Sequence, residues 1–411
     1  MPTKTLLEKY ATLAAETGAN VQKGQDVVIR SSTETRELAR AITNAAYKAG
    51  ARRVSVQWSD DYVSRYGLEH MNTETLEEVP EWIVEQTKHF INSGACFISI
   101  TSPVPGLNAG IDPVKMQRAA MSRMKKLKFA QDHMMGNKTQ WTIVAAPNAE
   151  WAQKVFPNTP KEEAIEKLWQ AIFKACRVTE DNNPVNDWAE HNARLASHNA
   201  VLNQHQFDSL HFSNSIGTDI TIKLVDNHVW AGGNEHTTSS VEFNPNIPTE
   251  ESFTMPHRDG TSGKVVATKP LNYQGNLIED FWLEFKDGKV VDYDAKKEKD
   301  TLKNLIELDE GSSRLGEIAL ISHNSPISNS DILFLNTLFD ENASCHMALG
   351  RAYPMNVENG VNMSQDALEA IGYNQSMAHS DFMFGSADLK VVGTKKDGTK
   401  IVVFENGDFV I

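Results

Sequence analysis

The 411 residues are 40% hydrophobic and 23% charged, enough for two or three ordinary buried cores. A formal charge of −14 argues against general affinity for nucleic acid, whose phosphates require a basic surface. The opening "MPTKTLLEKYATLAAETGAN" lacks a signal peptide's apolar core, no apolar run matches a membrane span, and Cys96, Cys176 and Cys345 are too few and too scattered for a disulfide framework; a cytoplasmic address is expected.

From residue 26 to about 178, short apolar runs alternate with helical periodicity. "DVVIR" reads as a strand, "TRELARAITNAAYKAGA" as a helix and "RRVSVQW" as the next strand; "ACFISIT" and "TQWTIVAA" follow between helical stretches. This alternation predicts an α/β layer with a mostly parallel sheet. The first helix shows an apolar stripe of Leu38, Ala41, Ile42, Ala45 and Ala46, and Ser31-x-x-Glu34 supplies a candidate capping box. The turn before it, "IRSSTETREL", has no glycine to admit a pyrophosphate, so a dinucleotide cofactor is not expected there. Arg123, Lys125, Lys126 and Lys128 lie in a helical pattern and read as a solvated face.

Helical patterns continue through "PKEEAIEKLWQAIFKACRV" and "NPVNDWAEHNARLASHNAVLNQ", with "TEDNNPVND" as a break. A domain boundary is placed between residues 180 and 200, giving an N-terminal α/β domain (1–190) and a C-terminal β-rich α+β domain (191–411). Strand alternation and tight turns dominate the second half: "SLHFSNSIGTDITIKL", "DFWLEFKDGKVVDY" with its Asp287-Gly288 turn, and "LKVVGTKKDGTKIVVFENGDFVI" with turns at Asp397-Gly398 and Asn406-Gly407.

Four segments of this half carry candidate chemistry. In "SMAHSDFMFGS", a strand would point His379 and Asp381 from one face, a two-ligand clip suited to zinc, cobalt or manganese; the alternative is a capped turn or surface strand. In "GSSRLGEIALI", Glu317 interrupts an apolar run, so its carboxylate is carried into low-dielectric surroundings. It would bridge two cations about 3.5–4 Å apart, or simply pair with Arg314. "NIPTEESFTMP" presents the adjacent acids Glu250 and Glu251, one of which can bind metal while its neighbour serves as a base or faces solvent. "DENASCHMALGRAYP" adds Glu341, His346 and Tyr353, the tyrosine as a donor to a developing oxyanion. Cys345 beside His346 invites a cysteine-nucleophile reading, but neighbours in an extended segment face opposite ways.

Taken in order, "NIPTEESFT", "RLGEIALISHNSPI", "NTLFDENASCHMALGRAYP" and "HSDFM" resemble the metallo-aminopeptidase family of aminopeptidase T, aminopeptidase S and PepS, over essentially the whole chain. The resemblance implies a homodimeric two-metal exopeptidase acting on peptides with a free N-terminus. It implies Glu251, Glu317, Glu341, His346, His379 and Asp381 as ligands of two divalent ions (Zn, Co or Mn), Glu317 as the bridge and Tyr353 as the transition-state donor. Glu250 or another acid at the rim is expected to carry a proton to the leaving amine. The alternatives are a two-metal phosphoesterase, for which the segments offer only Arg258, Arg314 and Arg351 as phosphate holders, and a non-catalytic protein that binds peptide or metal.

Overall fold

The computed structural model describes residues 2–273 and 276–411, and the chain divides into two compact units. The first comprises residues 1–190 together with 234–248; the second comprises 191–233 and 249–411. The division after Glu190 falls inside one continuous helix, Pro184–His205, rather than in a linker.

In the first unit, β1 (Asp26–Ser32), β2 (Arg53–Ser59), β3 (Cys96–Thr101) and β4 (Trp141–Ala145) form a parallel sheet in the order β2-β1-β3-β4. The α/β expectation therefore holds, with all four strands parallel. The helix Arg36–Lys48 buries Leu38, Ala39, Ile42, Ala45 and Ala46, so Ala39 stands in the buried face where Ala41 was expected. The capping box does not form. Ser31 is still within β1, its hydroxyl paired with that of Thr35 at 2.7 Å, and a 3-10 turn over Thr33–Thr35 precedes the helix. The backbone around residues 244–247 returns to this unit, where Ile143 donates to Pro245 and Ile247 donates back to Ile143.

The second unit holds a large antiparallel sheet, nine-stranded among the described residues, and a separate four-stranded antiparallel one. Hairpins in the large sheet turn where the sequence marks them. Asp287 and Gly288, and likewise Asn406 and Gly407, have positive φ at both positions, the geometry of the type I′ turn that follows strand twist. The smaller sheet carries the chemistry: β5 (Ser252–Thr254), β6 (Leu315–Leu320), β7 (His346–Gly350) and β8 (His379–Met383), in the order β8-β7-β6-β5.

Every residue of β6 and β7 is buried, so both faces of these strands are covered. One face, with Ile318, Leu320, Met347, Leu349 and Phe382, joins the apolar core of the unit. The other carries the acids and histidines. Alternation enforces the split, because side chains two apart share a face.

Candidate metal centre

Register builds the site. Glu317 of β6 and Asp381 of β8 both lie opposite Ala348 of β7, so the two acids flank a residue with almost no side chain. His346 lies opposite Ala319 and Met383, and Gly350 opposite His379. On β7 the polar face therefore reads His346, Ala348, Gly350: one ligand-type side chain followed by two positions that leave room. Glu251 immediately precedes β5, whose Phe253 pairs with Ala319.

Two groups of ligand-type atoms result, each with its atoms within 4.8 Å of one another: Glu251, Glu317 and His346, and Glu317, His379 and Asp381. Glu317 belongs to both. Its Oε1 lies 3.4 Å from His346 Nε2 and its Oε2 3.6 Å from His379 Nε2. Glu251 Oε2 stands 3.4 Å from His346 Nε2, and Asp381 Oδ1 3.5 Å from His379 Nε2.

The imidazoles are aimed from behind. His346 Nδ1 faces the Ser344 carbonyl at 3.4 Å, and His379 Nδ1 donates to the Arg351 carbonyl at 2.7 Å. Occupying Nδ1 in this way directs Nε2 at the carboxylates, the arrangement that orients metal-binding histidines.

The electrostatics describe a buried negative cluster. Burial, followed by the repulsion of Glu317 and Asp381, pushes the Glu251 carboxyl up to about 8 even though His346 opposes it. Burial and the charges of Asp381, Glu251 and Glu317 also raise Glu341. Burial alone would lower the two imidazoles. For His346 the contact with Glu317 and the charges of Glu251 and Asp381 reverse this, and for His379 Asp381 and Glu317 do; each is pushed up to about 10. Burial would raise Asp381, but His379 and His346 hold it below the usual carboxylate range. Four carboxylates gathered in low dielectric need positive charge.

These residues fit divalent metal. Oxygen and imidazole nitrogen are the donors of zinc, cobalt and manganese sites. Asp381 Oδ1 is buried without a hydrogen-bond partner, a cost that a bound cation would remove.

The remaining residues of interest lie around this cluster. Glu341 feels Asp381, Glu251, His346 and Glu317, but belongs to neither close group. Tyr353 sets its ring 4.8 Å from that of His379 and edge-on to Phe253, and burial with the charges of Glu317, Asp381, Glu341 and Glu251 raises its hydroxyl far above the usual range, so it stays a proton donor. The Glu250 carboxylate lies 3.7 Å from His191 Nε2, and its backbone N–H donates to Asn342 Oδ1 at 2.8 Å. Arg314 does not pair with Glu317. Its guanidinium reaches Asp259 at 2.7 Å, and Arg258 contacts the same carboxylate. Cys345 faces the apolar core, where its thiol exchanges hydrogen bonds with the Ile321 backbone and burial pushes it up to about 12.

Sequence reasoning missed several supporting residues. Ala348 and Gly350 were legible as the small members of an alternating strand. His191, which Arg194 contacts at Nδ1 and which donates from Nε2 to the Thr249 carbonyl, carried no signal in its helical pattern.

Comparison with known proteins identifies the family. The model of the family described as thermophilic metalloprotease (M29) matches residues 3–409. The chain is 47% identical to aminopeptidase AmpS of Bacillus subtilis over 403 residues, 98% of each chain. It is 44% identical to aminopeptidase 2 of Geobacillus stearothermophilus, covering 98% of this chain and 97% of that one. The solved structure of wild-type AmpT from Thermus thermophilus superposes with a TM-score of 0.93 at 36% identity, over 99% of this chain and all of that one. The chain belongs to the thermophilic metalloprotease family, M29.

Proposed function

We propose that this M29 metallo-aminopeptidase removes the N-terminal residue of peptides at a site where Glu251, Glu317, Glu341, His346, His379 and Asp381 hold two divalent cations, with Glu317 as the bridge. The carrying observation is that the two oxygens of Glu317 face different imidazoles, each within a separate group of ligand-type atoms. Two dications would also balance the four carboxylates Glu251, Glu317, Glu341 and Asp381 charge for charge. Zinc, cobalt and manganese all suit this donor set.

When bound, the cations supply Lewis acidity to the scissile carbonyl and to the attacking water. The protein does the rest. Ser344 and Arg351 hold the imidazoles in the required tautomer through their carbonyls. Tyr353, whose buried hydroxyl is a proton donor at neutral pH, donates to the oxyanion as it develops. Glu250 or another acid at the rim would carry the proton to the leaving amine, which must be protonated to depart. The substrate's free α-amine, which an internal peptide bond lacks, would bind a cation held by these acids; this makes the enzyme an exopeptidase. Arg258 and Arg314 are engaged by Asp259, which leaves the phosphoesterase alternative only Arg351 of its three phosphate-holding candidates.

The enzyme acts in the cytoplasm as a homodimer. Three buried free cysteines suit a reducing compartment, and the exposed aromatics Trp58, Tyr66 and Trp82 of the first unit suit burial against another chain.

Glu317→Gln tests the assignment. Metal content should fall from two equivalents to one or none, and release of amino acid from aminoacyl anilides should become undetectable. A variant that keeps both metals and most of its turnover would exclude Glu317 as the bridge.

A further inference from the structure

A cavity of about 60 Å³ lies in the second unit, lined by apolar residues, among them Leu271, Leu333, Leu335 and Met383, and by as many polar ones, among them Asn272, Asn336 and Thr337. Glu341 and Asp381 form part of the same wall, so the cavity borders the acidic cluster directly. In the measure by which one water needs about 10–15 Å³, it holds an aliphatic group of about four heavy atoms. No lysine or arginine lines it, and the further acid there, Asp340, is engaged: Oδ1 accepts from the Phe334 N–H at 2.7 Å and Oδ2 from the Asn336 N–H at 2.9 Å.

Those two bonds straddle Leu335, whose φ of +57° is a left-handed conformation that a large side chain rarely adopts. Such a conformation persists only where the surroundings enforce it, and it gathers at functional sites. Here the Asp340 carboxylate clamps the backbone on either side of the strained residue, and the turn so held lines the cavity with Leu333 and Leu335. This assigns a task to the first acid of "DENASCHMALGRAYP", which the metal centre leaves unused.

We propose that this cavity receives the side chain of the substrate's N-terminal residue and selects an uncharged aliphatic one of leucine size. The proposal rests on the aminopeptidase reading above. The α-amine and the first side chain branch from the same Cα, so a pocket bounded by Glu341 and Asp381, which would hold the cations that take the amine, receives that side chain rather than the next residue's. The leucines and Met383 favour a side chain with an apolar body, and with Asp340 engaged by backbone N–H groups and Glu341 and Asp381 assigned to the cations, a lysyl or arginyl group would enter without a free counter-charge.

The test uses the full chain loaded with cobalt, zinc or manganese, and compares kcat/KM for leucyl, alanyl, lysyl and phenylalanyl anilides. The unsubstituted enzyme should favour leucyl over both alanyl and lysyl by at least tenfold. Leu333→Trp, which fills the cavity, should reduce the leucyl-to-alanyl ratio at least tenfold. Leu335→Gly suits the left-handed backbone and widens the cavity, so it should raise the phenylalanyl-to-leucyl ratio at least threefold. Should Leu333→Trp fail to fold, the unsubstituted enzyme still decides: free leucine should compete at least tenfold more tightly than free alanine. Ratios within twofold of the unsubstituted enzyme in both variants, equal inhibition by the two amino acids, or a preference for lysyl would overturn the pocket and leave the aminopeptidase standing. Failure of the metal-loaded enzyme to hydrolyse any anilide would overturn both readings together.

Discussion

Glu250 and Glu251 show how much one residue decides. The two are adjacent and chemically almost identical, yet Glu251 stands 3.4 Å from His346 while Glu250 faces His191. Hydrogen bonds of the backbone set the difference: His191 Nε2 donates to the Thr249 carbonyl, and the Glu250 N–H donates to the fully buried Asn342. Tyr353 gives the sharpest prediction at this scale. Burial, followed by the charges of four neighbouring carboxylates, raises its hydroxyl above the ordinary value, and its ring rests against His379 and Phe253. Tyr353→Phe keeps the ring and removes only the donor, so kcat should fall by about 10²–10³-fold, the usual loss for one oxyanion donor, with metal content unchanged. Steady-state kinetics with metal analysis checks this, and an unaltered kcat would remove the tyrosine from the mechanism.

At the scale of elements, the four-stranded sheet works because strand alternation separates two incompatible jobs. Met347 and Leu349 enter the apolar core, while His346, Ala348 and Gly350 face the acids. The approach to β8 is pinned by Asp309, whose carboxylate accepts from the Ser312 and Met377 N–H groups and from the Ser376 hydroxyl. Burial works to raise Asp309, but these hydrogen bonds prevail and hold it below its ordinary value. A carboxylate depressed in the folded state adds stability above its unfolded pKa, about 3.9, and loses it as pH falls through the folded value. Asp309→Asn should therefore cost about 1 kcal/mol near neutral pH, a modest figure because solvent reaches this half-buried group. The cost should shrink as pH falls below about 4 and vanish once pH passes the depressed folded value, where the native aspartate itself protonates. Urea unfolding of both forms at pH 7 and in the acid range measures it; a pH-independent difference would contradict the sign.

For the whole molecule, charge neutralisation links metal binding to stability. A ligand that binds only the folded state stabilises it by about 2.7 kcal/mol at a hundred times its Kd. Chelation should accordingly abolish turnover and lower the midpoint of thermal unfolding by several degrees, and excess cobalt, zinc or manganese should restore both. A midpoint indifferent to metal would mean that the cluster holds none tightly. The proposed homodimer is checked by light scattering on the metal-loaded enzyme, where a mass of 91 kDa, twice the 45.7 kDa chain, is expected and a single-chain mass would refute it.

Local pattern was enough to read much of this protein. The parallel α/β layer follows from strand and helix periods, the I′ turns from Asp-Gly and Asn-Gly, the His379/Asp381 pair from a period of two, and the buried acid at Glu317 from its place in an apolar run. The Ser31 capping box failed for a tertiary reason: pairing with Trp58 across β2 keeps Ser31 in the strand, and the helix begins only at Arg36. Folding alone brought Glu251, Glu317, His346, His379 and Asp381, which span 131 positions, into two adjoining groups, put Ala348 between Glu317 and Asp381, and bent Leu335 into its left-handed turn. Periodicity acts between near neighbours and so can be read along the chain. Which strands pair, in what register and around what space depends on long-range burial and hydrogen bonding, and only the folded chain expresses it.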